Sequence, residues 1–134
     1  MEAIVPGLRG ELEVVVTPAD LAERWGSGLV PVYSTPALVG LLESAAVQAL
    51  AGRLAPGQTS VGAHIDLHHL APTPVGMCIC ARAELVQVEG RRLTFDIEAW
   101  DEKELIGRAT HERFIVDRER FVAKAMAKLS STAP

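Results

Sequence analysis

Between Pro36 and Gly52 the chain reads PALVGLLESAAVQALAG, and this segment limits the fold more than any other. Ser34 or Thr35 can cap a helix here. Pro36 suits the first helical turn, where its missing N–H costs nothing, and Gly52 is a natural stop. Leu38, Val39, Leu41, Leu42, Ala45, Ala46, Val47, Ala49 and Leu50 leave no continuous polar stripe, so the helix must be covered on most sides. With 134 residues the chain amounts to a single domain, 1–134. A protomer of that size cannot wrap a helix completely. A sheet curled around it, or a second subunit, must share the covering.

The rest of the sequence supplies such a sheet. Residues 11–17 (ELEVVVT) are short and β-branched and read as a strand. Pro18, Gly26, Gly28 and Pro31 make 18–34 irregular, with one helical turn expected within Ala19–Trp25. Trp25 and Tyr33 are expected to pack part of this loop onto something apolar. Period two then takes over. Residues 58–70 form a strand that ends at the breaker APTPVG, and 77–88 alternate with Met77, Ile79, Ala81, Ala83 and Leu85 on one face. After the turn at Glu89–Gly90, residues 91–100 alternate again, and 105–116 make a last strand beyond the polar turn Asp101–Glu104. From Asp117 the spacing of Phe121, Val122, Ala125, Met126 and Leu129 predicts an amphipathic C-terminal helix with a frayed tail. Consecutive antiparallel strands beside one helix make the class α+β. A curled antiparallel sheet wrapped round one long buried helix, with a C-terminal helix, is the layout of a hotdog fold. Such folds usually dimerise by joining sheets edge to edge, which also covers an exposed edge strand.

Composition removes several functions. Hydrophobic residues at 49% and charged residues at 22% describe a globular chain, not a disordered one. A net charge of -4 provides no global basic field, so no nucleic-acid partner is expected. No run approaches the roughly 20 apolar residues that span a bilayer, so no membrane partner is expected. The stretch MEAIVPGLRGELE has neither a basic start nor a long apolar run, which argues against a signal peptide. Cys78 and Cys80, two apart in a strand, point to opposite faces. They suit neither a disulfide nor, alone, a four-ligand zinc site. A cytoplasmic protein is the expectation.

Four features carry candidate chemistry. Glu43 is the one ionisable side chain between Thr35 and Gly52. Its helical neighbours Val39, Gly40, Ala46 and Val47 solvate a carboxylate poorly, and Gly40 costs a helix about 1 kcal/mol relative to Ala. Either Glu43 works beside a space that Gly40 leaves for a ligand or another chain, or it is a rim carboxylate facing water. Thr35 is either a helix cap or a hydroxyl facing a cleft at the helix N-terminus, where free N–H groups suit an oxyanion or a phosphate. Strand alternation puts His64, Asp66 and His68 on one side, as a solvated polar face or a metal site. It puts His69 on the other with Ile65 and Leu67, as a general base, a proton donor or a packed histidine. Gly62 marks a bulge, a bend, or the close approach of a backbone or ligand. Arg91, Arg92, Arg113, Arg118 and Arg120 supply local positive charge that can meet the phosphates of a nucleotide-bearing substrate, or serve as ordinary surface charge. There is no Gly-rich phosphate loop, no G-x-S-x-G elbow and no cysteine placed beside a histidine. Two classes remain: a hotdog enzyme acting on acyl thioesters, and a small-molecule binding module.

From about Val5 to Lys128 the sequence resembles the fluoroacetyl-CoA thioesterase group of the hotdog superfamily. The likeness is carried by VGLLESAAVQAL, SVGAHIDLHHLAPTPVG, VEGRRLTFDIEAWD and THERFIVDRERF. It implies hydrolysis of an acyl-CoA thioester, with Thr35, Glu43 and His69 as the catalytic group, Gly62 lining the thioester site and Arg113 a further site residue. It implies no cofactor beyond the CoA of the substrate, and a homodimer, with pairing of dimers into tetramers left open. The alternative is a non-catalytic acyl-CoA or metabolite binder. The family's lid phenylalanines have no counterpart in WGSGLVPVYST, which carries Leu29, so the acyl group stays open. In the implied reaction Glu43 attacks the carbonyl, giving a mixed anhydride, or deprotonates water. His69 steers water and helps protonate the sulfur. Thr35 bonds the carboxylate or the substrate, and backbone N–H groups near Gly62 or the helix start hold the oxyanion. One difficulty remains. Eight residues of helix separate Thr35 from Glu43 by roughly 12 Å, so the two cannot touch on one regular helix. Either the regular helix begins after Thr35 and the chain folds back, or residues from two subunits share the site, so a dimer is part of the expectation.

Overall fold

The computed structural model describes residues 3–130. The long helix, α2 (Thr35–Ala49), begins where Ser34 Oγ accepts the Ala37 N–H at 3.1 Å. Ser34 is therefore the cap, and Thr35 and Pro36 take the first two helical positions. The capping role considered for Thr35 falls to its neighbour, because the proline must sit within the first turn and the cap lies just outside it. A short helix, α1 (Ala22–Trp25), precedes α2, and five strands complete the sheet: β1 (Arg9–Val15), β2 (Gln58–His69), β3 (Cys78–Glu89), β4 (Arg92–Trp100) and β5 (Leu105–Asp117). A third helix, α3 (Arg118–Met126), closes the fold. The strands are antiparallel in the order β1-β3-β4-β5-β2, which leaves β1 and β2 at the edges.

The alternation read from the sequence is the packing seen. Ile79, Ala81, Ala83 and Leu85 of β3 and Leu93, Phe95, Ile97 and Ala99 of β4 are fully buried, as are Leu38, Leu42, Ala45 and Ala46 of α2. Each large side chain so buried stabilises the fold by about 1.5–3 kcal/mol. α2 lies directly against β1, because a Cβ at Gly10 would strike the Ala45 carbonyl and the Ala49 backbone. On the far side of α2 a stripe of Gly40, Ser44, Val47 and Gln48 stays exposed. The sheet therefore covers only part of a helix that is apolar nearly all round.

Two local features depart from simple patterning. The β2–β5 register shifts between Gly62 and His64, leaving Ala63 as the extra residue of a bulge. Before it, Ser60 and Gly62 oppose the inward residues Ile115 and Arg113. After it, Ile65, Leu67 and His69 take over the inward positions opposite His111, Ala109 and Gly107. Strict alternation would put Gly62 and His69 on opposite faces; the bulge puts both on the face that meets α2. In the 18–34 segment Tyr33 is buried and donates its hydroxyl hydrogen to the Ala37 carbonyl at 3.3 Å, whereas Trp25 stays 56% exposed. Only half of that packing expectation holds. α3 forms as expected, yet Phe121, Val122 and Met126 remain exposed. The expected frayed tail, so far as it falls beyond residue 130, lies outside the described residues. Cys78 and Cys80 are free thiols.

Candidate active site

Inward positions on β5 recur at Ala109, His111, Arg113 and Ile115 because the strand alternates, and all four are buried. An arginine at such a position must be paired at each of its nitrogens, since an unpaired buried charge is costly. Arg113, 6% exposed, complies: Nε donates to Ser60 Oγ at 2.9 Å, Nη2 to the Ser60 carbonyl at 3.0 Å, and Nη1 reaches His111 Nε2 at 3.2 Å and Glu43 Oε2 at 3.5 Å. Of the five arginines read from the sequence, Arg113 is the buried one, and its cation belongs to a site and not to the surface. His111 Nδ1 lies 2.7 Å from the His64 carbonyl and so carries the proton, leaving Nε2 to accept from Arg113. Both neighbours thus demand the neutral ring.

Glu43 completes the cluster. Its side chain is 41% exposed and opens onto a cleft of about 460 Å³ lined by Leu12, Gly40, Ser44, Val47, Gln48 and Arg113. The carboxylate sits directly over the Cα of Gly62. A Cβ there would collide with Glu43 Oε2 and lie 3.3 Å from both Arg113 Nη1 and His111 Cε1. The two readings of Gly62, bulge and close approach, are both realised. Nothing lies within 4 Å of a Cβ placed at Gly40, so the space foreseen beside the carboxylate is present.

A second cluster forms at the start of α2. Thr35, freed from capping, brings Oγ1 within 2.8 Å of His69 Nδ1. His69 Nε2 is buried without a hydrogen-bond partner, an uncommon and costly state for a ring nitrogen. Burial holds the pKa of His69 below its ordinary value, which favours the neutral base. A cavity of about 340 Å³ adjoins this pair, lined by the 27–35 loop through Val30 and Val32 and by Leu70 and Pro72.

Within one chain the two clusters are separate. Gly62 and His69 are seven strand residues apart, on the order of 20 Å, and Thr35 and Glu43 are two helical turns apart. The structure unites Glu43, Gly62 and Arg113, and unites Thr35 with His69, but does not join the two groups. His111 and Ser60 were missed by sequence reasoning. The signal for His111 was its parity with Arg113, Ala109 and Ile115 on β5. His64, Asp66 and His68 are exposed on the outer face; the His68–Asp66 separation is 3.8 Å, and no three candidate ligands among the described residues are grouped to hold a metal ion. No helix among them is long and apolar enough to cross a membrane.

The neutral histidines have a measurable consequence. Burial depresses the folded-state pKa of both His69 and His111, and the Arg113 charge further lowers that of His111. Below pH of about 6.5 the unfolded chain binds protons that the folded one refuses. Stability is therefore complete above that pH and is lost as pH falls from 6.5 toward the depressed values. Thermal melts between pH 7.5 and 5 should show Tm dropping with acid, with a shallower slope in His111→Gln. An unchanged slope in that variant would show that His111 is not held neutral.

Residues 16–119 match the family model of the fluoroacetyl-CoA-specific thioesterases. The fluoroacetyl-CoA thioesterase of Streptantibioticus cattleyicolor is 44% identical over 97 residues, covering 72% of this chain and 70% of that protein. A solved structure of the fluoroacetyl-CoA thioesterase FlK superposes with a TM-score of 0.89 at 34% identity, covering 99% of this chain and 100% of that one. A thioesterase superfamily member from Thermus thermophilus superposes with a TM-score of 0.87 at 28% identity, covering 97% and 96% of the respective chains.

Proposed function

The chain belongs to the fluoroacetyl-CoA-specific thioesterase family, and we infer that it hydrolyses a small acyl-CoA thioester at a site completed by two copies of itself. The observation that carries this reading is the Glu43 carboxylate, seated on the bare Cα of Gly62 and held by the buried Arg113. Thioester hydrolysis consumes one water and yields a carboxylic acid and a thiol. As a general base, Glu43 takes a proton from water as its oxygen adds to the carbonyl carbon; the C–S bond then breaks and the proton passes to sulfur. As a nucleophile, the carboxylate adds to the carbonyl carbon, the thiolate departs, and water opens the mixed anhydride. Both routes need the carboxylate in the same place. Neutral His69, oriented through Thr35, is the group that handles the water and sulfur protons. The catalytic roles of Thr35, Glu43 and His69 and the binding roles of Gly62 and Arg113 are proposed on these contacts.

The separation of the two clusters supports a dimer. β2 pairs only with β5, so its outer edge is free, and the uncovered stripe of α2 lies on the same protomer. An antiparallel β2-to-β2 pairing about a two-fold axis between Ile65 and Asp66 would set the partner subunit's His69 opposite Gly62, and so beside Glu43. It would also cover the edge strand. The free thiols of Cys78 and Cys80 fit a reducing, cytoplasmic setting.

The apolar cavity beside Thr35 and His69 suits a short hydrocarbon acyl group, and its loop presents Leu29, 95% exposed, where a lid would stand. A panel of short, branched and aromatic acyl-CoA substrates tests the reading by thiol release. Acetyl-CoA and short branched acyl-CoAs should be cleaved as well as fluoroacetyl-CoA. Saturable binding with no thiol released from any of them would make the protein a binder and not a hydrolase.

A further inference from the structure

His111 is buried in the Glu43 cluster, yet the reaction above gives it no part. It is 1% exposed and lies inward on β5, two residues before Arg113. Both of its ring nitrogens are engaged. Nδ1 donates to the His64 carbonyl at 2.7 Å, and Nε2 meets Arg113 Nη1 at 3.2 Å. The same Nη1 reaches Glu43 Oε2 at 3.5 Å. One chain of contacts thus starts at the bulge of β2, passes through the ring and the guanidinium, and ends at the carboxylate. The ring edge also flanks Gly62, where a Cβ would lie 3.3 Å from His111 Cε1. From β4 the ring is met by Phe95, with 6.3 Å between centroids.

We propose that His111 is a positioning residue of the hydrolytic site: its Nε2 lone pair holds Arg113 against the Glu43 carboxylate, and the bond from Nδ1 to the His64 carbonyl keeps that lone pair free for the task. The inference rests on the thioesterase reading above and deepens it. Three arguments carry it. The first is distance. At 3.5 Å the contact between Arg113 and Glu43 is at the outer limit of a hydrogen bond, so it does not place the guanidinium. The bonds to Ser60 at 2.9 Å and 3.0 Å and the contact with His111 at 3.2 Å do. Of these, His111 alone acts on Nη1, the nitrogen that faces the carboxylate. The second argument is charge. An acid in place of His111 would compete with Glu43 for the cation, whereas a neutral acceptor satisfies Nη1 and leaves the charge to Glu43. The Ser60 acceptors are neutral too, and among the described residues Glu43 is the one carboxylate paired with Arg113. The third is the tautomer. The nitrogen that carries the proton is set by the bond that it makes, and here the His64 carbonyl claims Nδ1. Burial, joined by the Arg113 charge, disfavours a second proton, which would turn an N–H toward the guanidinium.

Replacing His111 by asparagine and by glutamine separates the two ends of the ring. Asparagine sets its amide near the Nδ1 position and can keep the bond to the His64 carbonyl, but stops short of Arg113. Glutamine brings its amide oxygen to the Nε2 position and can still accept from Arg113. In thiol release from acetyl-CoA, kcat should be about tenfold or more lower in His111→Asn than in His111→Gln, because a misplaced guanidinium misplaces the carboxylate. KM should change little. Equal kcat in the two variants, a lower kcat in His111→Gln, or a loss confined to KM overturns the proposal. Nitrogen NMR of the wild-type imidazole should show Nδ1 protonated and Nε2 bare at neutral pH. A proton on Nε2 overturns the proposal even where the variants fail to fold. The same spectra separate this inference from the reading beneath it. If the wild type releases no thiol from any acyl-CoA, the hydrolase reading fails. The link from His111 to Arg113 is then decided by the tautomer and by hydrogen exchange at Arg113 Nε. Exchange faster in His111→Asn than in His111→Gln upholds the link, and equal exchange overturns it.

Discussion

Replacing Glu43 by glutamine should reduce the rate of thiol release from acetyl-CoA by about a thousandfold or more, with the fold intact. Glutamine keeps the shape that rests on Gly62, and its amide oxygen can still accept from Arg113. The buried guanidinium therefore keeps a neighbour, and the Ser60 and His111 contacts are undisturbed. What disappears is the ability to take a proton or to form an acyl bond. The effect should lie in kcat more than in KM, because the lost interaction matters at the transition state. Glu43→Asp gives a graded comparison. It retains the carboxylate but withdraws it from Gly62 by one carbon–carbon bond, and misplacement on that scale costs about a hundredfold. Wild-type turnover in Glu43→Gln, with a normal melting profile, would remove Glu43 from the mechanism.

Much of this could be read before any coordinates existed, for identifiable reasons. α2 was legible because a run with almost no polar side chain has few places to go. The strands were legible because one buried face forces a period of two. Glu43 was visible for the same reason as the helix, being its solitary charge. Arg113 was different. On local pattern it was one arginine among five, and only the likeness of THERFIVDRERF to a known family singled it out. Strand parity would have placed it, with His111, on the face of Phe95 and Ile97. The bulge at Ala63 marks where patterning stops. Gly62 signals an irregularity, but nothing local says that parity reverses there, and that reversal puts Gly62 and His69 on one face. The exchange of roles between Ser34 and Thr35 depends on a single residue of helix start. It decides whether Thr35 is occupied by a cap or free to meet His69. The second subunit is out of reach for a different reason: no single-chain pattern encodes which edge meets which.

That second subunit gives the other large effect. Glu43→Gln and His69→Ala should each be nearly inactive alone, yet equal amounts unfolded and refolded together should recover about a quarter of wild-type activity. The arithmetic follows from a two-fold axis. Random reassembly makes half the dimers mixed. In each mixed dimer, one site pairs the damaged Glu43 position with the damaged His69 position, and the other pairs two intact side chains. If Glu43 worked with the His69 of its own chain, each protomer of the mixed dimer would carry one lesion and no activity would return. A mixture of Thr35→Ala with His69→Ala is the control. Those two side chains touch within one protomer at 2.8 Å, so each variant damages the same half of the site and mixing restores nothing. Recovery in the first mixture together with silence in the second would assign the Thr35–His69 pair to one chain and Glu43 to the other. Silence in both, from variants that refold to dimers, would put the whole reaction within a single protomer, against the roughly 12 Å that a regular helix sets between Thr35 and Glu43.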